Sequence, residues 1–471
     1  MSVELTPDER QRLGRAALDW ILRYFSEQAD LPVYPTISAG ELSARLSGPL
    51  PASPQDPAQV LADFDEIARY GRHNGHPRMF GYVQSSGSFG GVIGDLLASA
   101  INQNVTSWRS APAATTIEHQ VVEWLKTMVG FDAGATGVLL SGGSFANFAG
   151  LATALRASTD VDLNEHGVAA LPGRPRIYAS AMTHMSMPKA VSMLGLGKDA
   201  IVRIPVDEQF RMRPDPLREQ VAADRAAGFH PVCAVATAGD VNTGAIDPLD
   251  AIADVCEASG LWLHIDGSYG ALAARSSQVN GAMAGLHRAD SLSLDPHKWL
   301  YAPLDVGCLL VRHAAALRGA FSEGAGYIDV VADREMSDFA YWAHSPELSR
   351  RFRALKIWFL LKLHGWRAIQ AAIDDNIAVA GHLARLVDDS DDFERVAPAP
   401  LSIVCFRWRQ GDDDFNRALM VATQRDGESY VSNAVVNGRF ALRACIVNFR
   451  TRPADAELLL NSLRRVASRM T

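Results

Sequence analysis

A lysine at the end of a buried strand is either an anchor or a nucleophile. In "SLSLDPHKWLYAP", Ser291 to Pro303, apolar residues alternate as far as Leu294, and "VGCLLV" from Val306 reads as a second strand. Lys298 stands between the two. It can lay its stem on apolar surface and keep its ammonium in water. Desolvated, it gives up its proton readily and becomes an amine that can form a Schiff base with a carbonyl. Three other stretches offer partners. "LLSGGSFAN" sets Gly142 and Gly143 between a strand and a helix, where the backbone can approach a ligand. Ser144 opens that helix, whose free N–H groups favour a phosphate. "LHIDGSYG" ends an apolar strand on Asp266, which can cap the next segment or hold a cation in a cleft. "SAMTHMS" places His184 between another strand and helix, as a cap, a packing group or a ring to stack on a ligand.

The elements that must position these residues follow from about Ala133. Short apolar strands ("GVLL", "RIYAS", "AIVRIPV", "PVCAVATAG", "LWLHID") alternate with amphipathic helices. That alternation predicts a mainly parallel, doubly wound sheet, in which ligands bind where strands end and helices begin. All four stretches lie at such junctions. In chain order they give a phosphate cup, a stacking ring, a carboxylate for a pyridinium nitrogen and a Schiff-base lysine. These are the parts that pyridoxal 5'-phosphate requires.

The same stretches carry a resemblance. "SLSLDPHKW", "WLHIDGSYG", "RRFRALKIW", "LRACIVNFRT", "HPRMFGYVQS" and "SWRSAPAATTIE" are similar to segments of the pyridoxal-phosphate-dependent group II amino-acid decarboxylases. That family includes aromatic-L-amino-acid, tyrosine, histidine, glutamate and cysteine-sulfinate decarboxylases, and the likeness covers nearly the whole chain. It implies an α/β architecture of the PLP-dependent transferase type (fold type I). An N-terminal helical dimerisation segment is expected over 1–75, a large PLP-binding α/β domain over 76–345 and a small α+β domain over 346–471. It also implies roles. Lys298 would carry the cofactor, His184 would stack on the ring, Asp266 would pair with the ring nitrogen, and Ser268 would lie under the other face. Gly143, Ser144 and His297 would hold the phosphate, Thr237 would stand beside the cofactor, and Tyr327 on a loop with Gly324 and Gly326 would deliver the catalytic proton. Tyr82 and Thr106 would line the substrate pocket. Two departures stand out: Asp295 occupies a place where many members have Asn, and Asp240–Val241 replaces a frequent threonine pair. An Asp so near a phosphate dianion needs a compensating donor.

The expected reaction is decarboxylation of an L-amino acid to its amine and carbon dioxide. An aromatic substrate is the first choice. Asn104 and Thr106 are more polar than the apolar pair usual in the aromatic enzymes, which keeps glutamate or cysteine sulfinate as the runner-up. An aminotransferase would share the sheet and the lysine, and an aldehyde synthase would meet oxygen after losing carbon dioxide. A non-catalytic relative predicts loss of Lys298, Asp266 or His184, and all three are kept.

Composition narrows the partners. The chain has 471 residues, net charge −8 and 48% hydrophobic content, an ordinary globular balance with no basic nucleic-acid surface. No apolar run approaches the roughly 18 residues of a membrane helix, and "MSVELTPDER" is no signal peptide. The five cysteines are scattered, without CxxC or metal-like pairing, so reduced core residues and a cytoplasmic enzyme are expected. Thr6, Pro7 and Glu9 form a capping box before a helix with an apolar face from Leu13 to Phe25. Such a face needs a surface to lie on, and the resemblance implies a homodimer with its active site at the interface.

Overall fold

Seven short strands, most of them buried along nearly their whole length, make the central sheet, as near-continuous Val, Ile, Leu and Ala runs require when both faces are covered. They are β1 (Thr136–Leu140), β2 (Pro175–Ser180), β3 (Ile201–Ile204), β4 (His230–Thr237), β5 (Trp262–Asp266), β6 (Ser291–Leu294) and β7 (Gly307–Val311). The computed structural model describes residues 3–279, 281–322 and 339–470. The strand order is β1-β7-β6-β5-β4-β2-β3. Strand β7 runs antiparallel to both of its neighbours, β1 and β6, and the other pairs are parallel. The expected mainly parallel sheet is therefore present, with one reversed strand inside it.

Helix Gly143–Ala157 crosses the sheet from β1 to β4. It comes so close to β5 that a Cβ on Gly150 would sit 2.6 Å from the ring of His264, so only glycine fits there. A second, antiparallel sheet of β8 (Phe393–Arg395), β9 (Ile403–Trp408), β10 (Ser432–Val436) and β11 (Arg439–Cys445) follows in the order β10-β11-β9-β8. Asn437 and Gly438 turn its hairpin with φ of 50° and 75°, the two positive values a tight primed turn requires. The N-terminal helix Pro7–Glu27 carries the expected capping box and buries none of its residues. It rests partly on helix Pro57–Arg69, where Trp20 Nε1 donates to Asp65 at 2.8 Å and the Trp20 ring meets Phe64 edge-on. No helix among the described residues is long and apolar enough to cross a membrane.

The basic and apolar stretch "ELSRRFRALKIWFLLKLHG" leads into a long helix that begins only at Ala354, and Gly365, at φ 72°, breaks it into two before it ends at Asp388. Arg350 explains the late start. Its guanidinium is fully buried and donates to Glu118 Oε1 at 2.5 Å, to the Leu139 carbonyl at 2.8 Å and to the Val105 carbonyl at 2.7 Å. The backbone N–H of Arg350 is taken by Asn104 Oδ1 at 2.8 Å. Those partners pull the stretch before Ala354 away from helical geometry and tie it to β1. Burial pushes the Glu118 carboxyl above its ordinary pKa, against the Arg350 charge that pulls it down. Removing one member of such a pair strands the other. Arg350→Met should therefore cost about 3–5 kcal/mol of stability, measured by urea unfolding. A loss below about 1 kcal/mol would show that the pair is not what anchors this segment.

Candidate active site

The carboxyl ends of β1, β2, β4, β5 and β6 open into one cavity of about 600 Å³. This is the edge at which a parallel sheet leaves strand ends and helix starts facing a ligand. Gly142, Gly143, Ser144, His184, Thr237, Asp266, Ser268, His297, Lys298 and Tyr82 all line it. Ten residues spread over more than two hundred positions of sequence thus meet at one place.

Asp266 closes β5 and is buried. Asn147 Nδ2 donates to its Oδ2 at 3.0 Å, and the Ser268 N–H and the Ser293 hydroxyl donate to Oδ1, each at 3.2 Å. Burial opposes its ionisation. The charge of Lys298, the Ser268 hydrogen bond and the nearby histidines outweigh that, and the carboxyl stays below its ordinary pKa. Lys298 follows β6 on a one-turn helix, Pro296–Trp299, and its Nζ lies 2.9 Å from Asp295 Oδ2. Asp295 is itself buried, and His297 Nε2 stands 3.7 Å from the same oxygen. The compensating donor demanded by the sequence is therefore the lysine amine. The other oxygen, Asp295 Oδ1, has no hydrogen-bond partner among the described residues. Burial holds the His184 and His297 rings below their ordinary pKa, so both are neutral near pH 7. His297 is fixed by a 2.6 Å bond between Nδ1 and the Val306 carbonyl.

Thr237 ends β4, its N–H taken by Asp247 at 2.8 Å. The Asp240 carboxylate is satisfied within its own loop: Oδ2 accepts from the N–H and hydroxyl of Thr243, both at 2.6 Å, and Oδ1 from the Asn242 N–H. Tyr82 adopts a positive φ of 64°, with the Arg72 guanidinium 4.9 Å over its ring and its hydroxyl 3.4 Å from that of Tyr430. Thr106 is not part of the cavity wall. Its segment is drawn elsewhere, by the Thr106 carbonyl accepting from Trp342 N–H and by the Asn104 bond to Arg350. Tyr327 lies outside the described residues. Among the wall residues given no role from the sequence are Asn147 and Ser186. Asn147 was visible as a lone amide in the otherwise apolar run "FANFAGLATAL".

The wall fits the cofactor expected from sequence. Helix Gly143–Ala157 has no side-chain cap, which leaves its first N–H groups to an incoming anion. A Cβ on Gly143 would stand 2.4 Å from Ser268 Oγ and 2.6 Å from Asp295 Oδ2, so a larger residue would fill the cup. An ionised, acceptor-only carboxylate and the Lys298 amine complete the groups that a pyridinium ring and an aldehyde require.

Comparison with known proteins agrees with this geometry. Residues 40–409 match the family model described as the pyridoxal-dependent decarboxylase conserved domain. The chain is 34% identical over 478 residues to an aromatic-L-amino-acid decarboxylase of Bacillus atrophaeus, covering 100% of this chain and 98% of that protein. It is 29% identical to a phenylacetaldehyde synthase of Petunia hybrida, covering 99% and 96%. The crystal structure of Oryza sativa TDC with PLP and tryptamine superposes with a TM-score of 0.92 at 28% identity, covering 100% of both chains. With amine, carboxylate and phosphate cup gathered at one sheet edge, the chain belongs to the pyridoxal-dependent decarboxylase family and is a carboxy-lyase that uses pyridoxal 5'-phosphate.

Proposed function

We propose that this chain decarboxylates an aromatic L-amino acid, releasing the amine and carbon dioxide. The observation that carries this reading is the convergence of Lys298, Asp266, His184 and the uncapped glycine turn on one cavity beside the Tyr82 ring. The aromatic-L-amino-acid decarboxylase that matches along the whole chain supports the substrate class. When bound, pyridoxal phosphate supplies an electron sink for the pair left at Cα as carbon dioxide departs. The protein's own residues do the rest. Lys298 offers the amine that anchors the aldehyde, and Asp295 holds that amine in place beforehand. Asp266 keeps a proton on the ring nitrogen, because an adjacent carboxylate raises the pKa of a cation. His184 would lie against one ring face and Ser268 against the other. Gly143, Ser144 and His297 hold the phosphate, with Thr237 nearby. Tyr327 donates the proton to Cα.

A second reading, an acidic or other polar substrate, draws on Arg443, a guanidinium in the cavity wall. Incubating the purified protein with the twenty amino acids plus dopa and cysteine sulfinate separates the readings. An aromatic amine is the expected product by mass spectrometry, and an amine from an acidic substrate alone would replace the first reading with the second.

The position of Thr106 outside the cavity supports a homodimer, in which that segment would serve the neighbouring subunit's site. Apolar side chains left half-exposed on three helices, among them Leu22 (49%), Ile67 (51%) and Ile101 (55%), support the same assembly. Sedimentation should give a dimer, and deletion of residues 1–60 should leave insoluble or inactive protein. A folded, active monomer after that deletion would contradict the proposal.

The lysine assignment has a direct check. The holoenzyme should absorb in the visible, and borohydride should abolish the band and leave a pyridoxyl group on Lys298. An adduct on any other lysine sinks the assignment.

Tyr327→Phe tests the proton donor. A positioned general acid contributes about 10² to 10⁴ in rate, so amine formation should fall by that order with cofactor binding kept. Oxygen and water would then divert turnover to aldehyde, ammonia and hydrogen peroxide; an aldehyde is the product named in the Petunia hybrida relative. Amine at the wild-type rate without peroxide would assign the proton to another group.

A further inference from the structure

The side chain of Asn147 links two groups that the proposed reaction uses separately. It sits one turn into helix Gly143–Ala157 and is 1% exposed. Its Nδ2 donates to Asp266 Oδ2 at 3.0 Å and to Ser186 Oγ at 3.1 Å, and its Oδ1 meets His264 Nε2 at 3.0 Å. Behind His264, Nδ1 lies 2.8 Å from Ser291 Oγ, and Trp262 Nε1 donates to that same oxygen at 2.8 Å. In front of Asn147, Ser186 Oγ lies 2.9 Å from His184 Nδ1.

The direction of every bond follows from the two ends. An indole N–H only donates and an ionised carboxylate only accepts. Ser291 Oγ therefore accepts from Trp262. At the other end Asn147 turns its amide nitrogen to Asp266, so its Oδ1 accepts the Nε2 proton of His264. Burial holds that ring neutral, with its pKa down at about 4, so its Nδ1 is bare and takes the Ser291 hydrogen. The amide nitrogen then faces Asp266 and Ser186 with one hydrogen for each. Flipping that amide would set oxygen against the Asp266 carboxylate and two N–H groups against each other at His264. Ser186, having accepted from Asn147, gives its own hydrogen to His184 Nδ1. The backbone N–H of Ser186 points to the same nitrogen at 3.2 Å, an independent sign that Nδ1 is an acceptor. A neutral His184 consequently carries its proton on Nε2.

We propose that Asn147 is a positioning residue: through one hydrogen-bond chain starting at Trp262 it orients the Asp266 carboxylate and fixes the tautomer of His184. The chain is buried at every link except Trp262 and His184, which are partly so, and each hydrogen between Trp262 and His184 Nδ1 has a taker, which is the condition under which a polar network rigidifies a site. The inference rests on the roles proposed above for Asp266 and His184, but the proton positions themselves do not.

The first test is therefore made on the cofactor-free protein. Histidine-selective ¹⁵N spectra should show unprotonated Nδ1 and protonated Nε2 for both His184 and His264. A proton on Nδ1 of either ring overturns the chain's direction. The second test measures pyridoxal phosphate affinity by fluorescence titration in Asn147→Asp, which keeps the side chain's size and removes both donors. Affinity should fall about 10- to 100-fold, as on losing a partner that orients a ligand-binding group. The His184 resonances should shift as well. Unchanged affinity and unchanged His184 signals would reduce Asn147 to a packing residue. Trp262→Phe probes the far end without touching the cavity. It should keep the His264 proton on Nε2, since the Asp266 end still orients the Asn147 amide, but shift the His264 Nδ1 resonance as Ser291 loses its indole donor; an unshifted Nδ1 resonance would refute the relay. Failure of the broader reading looks different: pyridoxal phosphate would not bind the wild type, while the ¹⁵N tautomers would stand.

Discussion

Everything at this site hangs on keeping one carboxylate ionised in the protein interior. Asp266 lies where burial favours the neutral acid, and isolated in such surroundings it would hold a proton and could not draw a cation. Three hydrogen-bond donors and the Lys298 charge reverse that preference. The sheet supplies them from four separate places: the Ser293 hydroxyl from β6, the Ser268 N–H from the turn after β5, the Asn147 amide from the helix laid across the strands, and the Lys298 charge from the turn after β6. The parallel pairing of β5 and β6 is thus part of the electrostatics. Shifting either of these strands by one residue would exchange the inward and outward faces and break the set.

The second buried carboxylate, Asp295, answers to the same constraint in a different way. It has one strong partner, the Lys298 amine, where Asp266 has several neutral ones. An ion pair of that kind holds the amine in place beside the cavity. Neutral His297, held by the Val306 carbonyl, adds little compensating charge.

Much of this was legible in the chain itself. The alternation of strands and helices, the glycine turn, the strand-ending Asp266 and the misplaced Lys298 all follow local rules of period, turn chemistry and helix ends, and the structure places them together. What could not be read are the features made by partners far apart in sequence. Arg350 looks like one more basic residue of an amphipathic helix, and only its burial against Glu118, 232 positions away, reveals why the helix starts late. Asn147 lies inside a quoted stretch, yet its function depends on His264 and Asp266, which a linear reading does not place beside it. Thr106 lies outside the cavity of the single chain, because partners distant in sequence, Trp342 and Arg350, turn its segment elsewhere.

The reversed strand β7 has a consequence for how the molecule is made. Among the described residues strand β1 sits at the edge of the sheet, and its neighbour there, β7, comes about 170 residues later. At ribosomal rates of roughly 5–20 residues per second, β1 and its glycine turn wait about 10–30 s for that neighbour to emerge. During that interval an apolar strand has an open edge on each side, the state most prone to pairing with other chains. The half of the site that cups an anion therefore stays unsupported until the lysine half has been synthesised, and nascent-chain chaperones have their longest opportunity in that window.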